Sequence, residues 1–274
     1  ILGQLGTSLT AWLSFEYEWK YVYNFMMAIL LVCILVIFVT MPYHKYYSKR
    51  FPIRFRQFGN VVLFCTPLVC FTYVMVYGKV LDWFDDPTIR LASFSAVVSG
   101  ALFLYTEYHH QNRYYMLGVL KLRTICVASL FYFLLMFLNS SAMFVNVFAG
   151  IGMKLDNLQN SMLGNWAMVG YVIGGVATIV LCKKGMHFKY IFALGFTIIG
   201  LAAIFMYFEV QTYGLYERMK YPVIIRSIGM MMLYTLIPTY ATQRMPYKFL
   251  SSWICTMITI RMVIAPAFGA SVYT

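Results

Sequence analysis

The segment YVYNFMMAILLVCILVIFVTMPYHKYYSKRFPIRFR, residues 21–56, contains the pattern that decides the fold. Its first part, 21–41, is an apolar run without a charged residue, long enough to cross a bilayer as an α-helix. Five cations then follow in the next loop: Lys45, Lys49, Arg50, Arg54 and Arg56. An apolar span followed by a basic loop is typical of a membrane protein whose cytoplasmic side is marked by its charges.

The same pattern recurs along the chain, in which hydrophobic residues make up 62% of the 274 positions. Seven further apolar runs are predicted as spans: 59–81, 91–107, 124–148, 160–182, 188–208, 222–241 and 249–272. A ninth, shorter run occupies residues 1–14. Because backbone polar groups must be satisfied internally in hydrocarbon, these runs predict helices. The sequence therefore predicts an all-α, polytopic bundle of about nine transmembrane helices.

The distribution of Lys and Arg predicts the orientation of the chain. Thirteen of these cations fall in alternate loops on one side, which is cytoplasmic by the positive-inside bias, while the opposite loops are close to neutral. The formal net charge of +12 is thus a topology signal and gives no support for nucleic-acid binding. The loops are too short to hold a soluble domain.

No motif in the sequence predicts an enzyme, a metal site or a cofactor. The six cysteines form no Cys-x-x-Cys pair, and there is no nucleophile elbow, P-loop or dinucleotide fingerprint. All four histidines fall in predicted cytoplasmic loops, where only the run from Glu107 to His110 brings one near a carboxylate. That spacing is a weak metal motif, and a solvated loop explains it as well.

Charged residues inside predicted spans are functional candidates because charge is costly in hydrocarbon. Arg261 lies about a dozen residues into the last span, roughly 18 Å at helical rise and near the bilayer centre. It has either a functional role or a structural one, paired with backbone carbonyls or a carboxylate. Arg226 lies one turn into its span and is expected to extend outward to the interface. Glu107, at the inner rim, is a coupling candidate or a helix cap.

The span at 124–148 has a polar and adaptable face that predicts a substrate cavity. Met and Tyr interleaved with Asn suit amphipathic ligands of variable shape, although an Asn-bonded helix interface explains the pattern equally well. Similar residues occur near the outer start of the next span and within 222–241. The candidate substrate-binding residues are Tyr132, Met136, Asn139, Met143, Asn146, Asn165, Trp166 and Tyr234.

Four stretches resemble the fourteen-helix branch of drug:proton antiporters in the major facilitator superfamily. They are Trp19-Lys20-x-Val22-Tyr23, the run LGVLKLRT at 117–124, Ile225-Arg226-Ser-Ile-Gly-Met, and Arg261 followed by small residues at 265–270. The resemblance implies the end of the amino-terminal helix bundle at 1–41 and a cytoplasmic basic linker at 42–58. It further implies two extra central helices at 59–108 and a carboxy-terminal bundle lacking its last helix at 109–274, so that the chain is a fragment.

The resemblance also implies a function. Members of this branch are multidrug exporters of the inner (cytoplasmic) membrane that use proton-coupled alternating access, and in Gram-negative cells they pass substrate to a periplasmic adaptor and an outer-membrane channel. The expected partners here are accordingly small amphipathic molecules, protons and the lipid bilayer. Arg261, Arg226 and Glu107 are the expected coupling or gating residues.

Other functions stay open from the sequence. A major facilitator-type carrier could take up or secrete one nutrient or metabolite, and would have specific charge pairs in its cavity. A membrane-embedded enzyme acting on lipid would have ionisable residues clustered at one interface. A non-transporting scaffold or sensor would leave Arg261 replaceable. The antiporter glycine series survives at most as Gly3 and Gly6, so the direction of transport is also open.

Overall fold

The computed structural model describes residues 2–17, 19–40, 55–109, 115–210, 216–243 and 245–273. Within these ranges the chain is helical and contains no β-strand. Most of the predicted basic linker at 42–58 lies outside the described residues, as do His44 and His110.

Ten α-helices form the described part of the chain. They are α1 (Leu2–Glu16), α2 (Trp19–Thr40), α3 (Phe55–Tyr77), α4 (Pro87–His109), α5 (Arg123–Val147), α6 (Asn157–Lys183), α7 (Phe188–Glu209), α8 (Tyr216–Gln243), α9 (Leu250–Thr259) and α10 (Ala265–Tyr273). A π-helical turn at Ile260–Ile264 joins α9 to α10, and a second one at Phe148–Gly152 extends α5.

Eight segments in these ranges are long and apolar enough to cross a membrane. They correspond to α2 to α8 and to a single continuous segment formed by α9, its π-helical turn and α10. The predicted ninth run at 1–14 is helical and forms α1, of which the structure describes 15 residues. The chain is therefore a multi-pass, all-helical membrane protein.

The start of α4 shows how the sequence sets a helix boundary. Pro87 begins the helix, where its missing N–H costs no hydrogen bond. The Asp86 carboxylate accepts hydrogen bonds from the Thr88 hydroxyl and from the Thr88 backbone N–H, the latter at 2.6 Å. These bonds hold the pKa of the Asp86 carboxyl below its usual value, as expected for a charged cap at a helix N-terminus.

Helix α8 lies at the centre of the bundle, in contact with α5, α6 and α7. On the α6 side, a Cβ atom added at Gly174 would lie only 2.5 Å from the Ile228 carbonyl oxygen. On the α7 side, a Cβ added at Gly229 would lie 2.7 Å from the Gly195 carbonyl oxygen. Backbones this close exclude any side chain larger than hydrogen, which is how small residues promote helix association in membranes.

The remaining helices extend this centre on two sides. Helix α10 packs on α5, and the hairpin of α3 and α4 packs on α10. On the other side, α1 packs against α6, and α2 contacts α1 with most of its side chains exposed. The buried apolar core lies among α5, α7, α8 and α9 and includes Leu135, Leu233, Ile237 and Trp253.

We expect Gly174→Ala to destabilise the bundle by about 1–3 kcal/mol, because its methyl group would clash with backbone atoms that cannot rotate away. The matched control is Gly200→Ala in α7, where no atom lies within 4 Å of the added Cβ. There the higher helix propensity of Ala should raise stability by up to about 1 kcal/mol. The thermal midpoints of the two purified variants measure this difference. Equal midpoints would contradict the close packing of α6 on α8.

Candidate functional site

A cavity of about 1110 Å³ lies among α5, α6, α8 and the π-helical turn at Ile260–Ile264. Its apolar lining includes Leu163, Val223 and Met230, and its polar lining includes three asparagines, Asn139, Asn146 and Asn160. Two arginines, Arg226 and Arg261, complete the charged part of the wall. Such a mixed lining can hold an apolar body and a polar group at the same time.

Arg261 reaches the cavity from the π-helical turn, near the midpoint of the Tyr247–Val272 span. A π-helical turn inserts one extra residue into the helix and is frequent at functional sites. The guanidinium carbon lies 5.9 Å from the centroid of the Tyr234 ring, in cation–π distance. Within the described part of the chain, no carboxylate lies within ion-pair distance of Arg261.

Two residues of α5 contact Tyr234 and hold its side chain in place. The Tyr132 ring packs edge-on against it with centroids 6.5 Å apart, and the Tyr234 hydroxyl donates to the Met136 sulfur at 3.4 Å. Tyr132 and Met136 are themselves buried, at 3% and 4% exposed. They therefore position the aromatic partner of Arg261 and do not line the cavity.

Arg226 connects α8 to α5. Its Nη2 atom donates hydrogen bonds to the Leu138 and Asn139 carbonyl oxygens, each at 3.0 Å. The side chain thus lies across the helix interface and lines the cavity, instead of extending to the outer interface as the sequence suggested. The physical reason is that α5 offers two acceptors within reach, so the guanidinium can be satisfied inside the bundle.

The structure places only some of the other predicted substrate-binding residues in the cavity wall. Asn139 and Asn146 line the cavity together with Tyr234, whereas Met143 is 58% exposed and does not. Asn165 accepts a hydrogen bond of 2.6 Å from the Ser8 hydroxyl, which joins α6 to α1. Trp166 lies beneath Lys220, whose Nζ is 5.0 Å from the ring centroid.

Glu107 is fully buried at the end of α4 and belongs to a different site. Its carboxylate accepts hydrogen bonds from the Tyr115 backbone N–H at 3.2 Å and from Asn60 Nδ2 at 3.5 Å. The Tyr115 hydroxyl in turn bonds Thr256 of α9 at 2.7 Å, and burial raises the pKa of that hydroxyl. These contacts tie α3, α4 and α9 together and favour the structural interpretation of Glu107.

The sequence predicted a contribution of α6 to the cavity through Asn165 and Trp166, but it missed the face of α6 that lines the cavity. Asn160, Leu163, Ala167 and Tyr171 line it from one face of this helix. Their spacing of three or four residues places them in one row along the helix, so the signal was present in the sequence. It was weak because the row mixes polar and apolar residues and so resembles an ordinary packing face. Thr7 of α1 also reaches the cavity.

No described group of three or more His, Cys, Asp or Glu side chains is arranged to hold a metal ion. No known protein family, curated protein or solved structure matches the chain. The resemblance to the major facilitator superfamily therefore stays a proposal, and the functional conclusion depends on the cavity itself.

We expect Arg226→Gln to destabilise the protein by about 2 kcal/mol, because it removes two charge-assisted hydrogen bonds between α8 and α5. Arg218→Gln, an exposed position on the same helix, is the matched control and should change stability by less than about 0.5 kcal/mol. Thermal unfolding of the purified variants measures both. A midpoint for Arg226→Gln that equals that of Arg218→Gln would contradict a stabilising role for this contact.

Proposed function

We propose that this protein is a membrane transporter that exports small amphipathic compounds or drugs by proton-coupled alternating access through the cavity among α5, α6 and α8. The observation that carries the proposal is a large cavity of mixed lining that extends to an arginine at the midpoint of a span. The outward direction, the coupling to protons, the inner-membrane location and the adaptor and channel partners rest on the resemblance to the fourteen-helix branch.

The size and lining of the cavity support a binding role over a packing role. The cavity is partly open, and its volume of about 1110 Å³ is large enough to hold a small organic molecule. Met230 and Met231 give it flexible apolar surface, and its asparagines give neutral hydrogen-bonding groups. A lining of this kind suits ligands that share a polar and an apolar part without sharing one shape.

Features that permit movement surround the same cavity. Helix α8 contains Pro222 and Pro238, and the segment that carries Arg261 is interrupted by a π-helical turn. Prolines and π-helical turns interrupt the regular hydrogen-bond ladder and are common positions for helix bending. Alternating access requires movements of this type.

A carrier for one specific nutrient or metabolite is the second candidate. The observation that favours it is that Arg226 and Arg261 line the same cavity, since fixed charges select substrates more strictly than Met and Tyr side chains do. A lipid-modifying enzyme has less support, because the described residues contain no group of three or more His, Cys, Asp or Glu that could hold a metal ion for such chemistry.

We expect Ala142→Trp, which places an indole in the cavity from α5, to reduce transport at least tenfold for every substrate. The complete protein would be expressed in energised cells, and export of cationic, neutral and anionic amphipathic dyes would be followed with and without a protonophore. Ala193→Trp, at an exposed position of α7, introduces the same residue away from the cavity and should preserve transport. Both variants would be compared at equal membrane levels.

Absence of protonophore-sensitive export of any dye would overturn the exporter proposal. Export that continues unchanged in Ala142→Trp would show that substrate does not pass through this cavity.

A further inference from the structure

The charged part of the cavity wall has one sign only. Arg226 and Arg261 contribute two positive charges, and no Asp or Glu among the described residues lines the cavity. A mixed-sign wall would suit zwitterions, and an acidic wall would suit the lipophilic cations that many drug exporters carry. A wall of this composition creates a positive potential that favours anions and repels cations.

Arg261 is the stronger of the two candidates for direct ligand contact. It is exposed, it lies near the midpoint of a span, and its described contacts are with the ring of Tyr234 and the hydroxyl of Tyr132, neither of which neutralises its charge. A charge at this depth is normally compensated by an opposite charge in the protein or in a ligand. The guanidinium has five N–H donors in a planar fork that matches the two oxygens of a carboxylate.

Arg226 lines the same cavity as Arg261, but its contacts are different. Its Nη2 atom donates hydrogen bonds to two backbone carbonyl oxygens of α5, the Leu138 and Asn139 oxygens. These bonds fix Arg226 at the cavity wall, so we assign direct contact with the ligand to Arg261.

The apolar part of the wall indicates that the ligand has an apolar body in addition to its charged group. Leu163, Val223, Met230 and Met231 line the cavity together with the arginines. A small inorganic anion would not contact this apolar surface and would gain no binding free energy from it. An organic anion with an apolar body would gain binding free energy from the arginine and from the apolar surface.

We propose that the cavity selects amphipathic organic anions, with an acid group such as a carboxylate bound by Arg261 and the apolar body packed against α6 and α8. The inference rests on the proposed function for its physiological meaning, but it concerns binding, which can be measured without transport.

The test compares two probes that differ only in charge: an aryl-alkyl carboxylate and its primary amide. Binding of each to the complete purified protein would be measured by calorimetry in nanodiscs of neutral phosphatidylcholine. We expect the wild-type protein to bind the carboxylate at least tenfold more tightly than the amide, because a charge-assisted bidentate contact replaces a neutral one. If the wild-type protein bound the carboxylate and the amide with equal affinity, this result alone would overturn the inference.

Arg261→Gln identifies the group responsible. We expect it to bind both probes with the same weak affinity, while Arg218→Gln on the outer end of α8 keeps the tenfold preference. A preference that survives in a folded, monodisperse Arg261→Gln protein would overturn the assignment of the acid group to this side chain.

An anionic lipid headgroup has the same chemistry as the proposed ligand, and a second lipid composition separates the two. Measurements in nanodiscs containing phosphatidylglycerol would lower carboxylate binding equally in wild type and Arg261→Gln if the charge of the bilayer acts only at its surface. A loss confined to the proteins that retain Arg261 would support the anion site and identify an anionic lipid as its occupant.

Flux in proteoliposomes distinguishes this inference from the proposed function. Selective carboxylate binding without flux of either probe would support the anion site and overturn the transporter proposal. Flux of both probes at equal rates, with equal affinities and blocked by Ala142→Trp, would support the transporter proposal and overturn the anion site.

Discussion

The close approach of α6 and α7 to the two sides of α8 is the constraint on which the rest of the structure depends. In a bilayer the hydrophobic effect does not drive helices together, so association depends on van der Waals packing at close backbone contacts and on interhelical polar groups. Gly174 and Gly229 allow the close backbone contacts, and the hydrogen bonds from Arg226 to α5 are the interhelical polar contacts. Because α8 is fixed on three sides, its remaining face can line a cavity with Tyr234 and Arg226 without collapse of the bundle.

The fold was predictable from the sequence because membrane insertion imposes simple rules. The eight spanning segments follow from the length of apolar runs, and their helical state follows from the need to satisfy backbone hydrogen bonds internally. The short run at 1–14 is likewise helical, as its apolar pattern indicates. The contacts between helices were harder to predict from the sequence. Nothing in the sequence identified α8 as the helix that packs against Gly174 of α6.

The candidate site was predictable in part, for reasons visible in individual residues. Helical periodicity places Tyr132, Met136 and Asn139 on one side of α5, yet it cannot tell which of them is covered by a neighbouring helix. Tyr234 covers the first two and leaves Asn139 at the cavity. Similarly, depth in the span predicted that Arg261 is unusual, while its orientation depends on a π-helical turn that is not encoded by any obvious local motif.

The two arginines illustrate how a membrane protein can use charge for two purposes. Arg226 is satisfied by backbone carbonyls of α5, so that removing it would cost stability, whereas Arg261 contacts an aromatic face, which stabilises a cation more weakly than a carboxylate does. A protein that needed Arg261 only for packing would gain more from a leucine, because the cavity beside it exposes the guanidinium at a depth where charge is unfavourable. Within the described residues the charge of Arg261 is met by aromatic side chains and not by a carboxylate, which agrees with the proposal that a ligand supplies the negative charge.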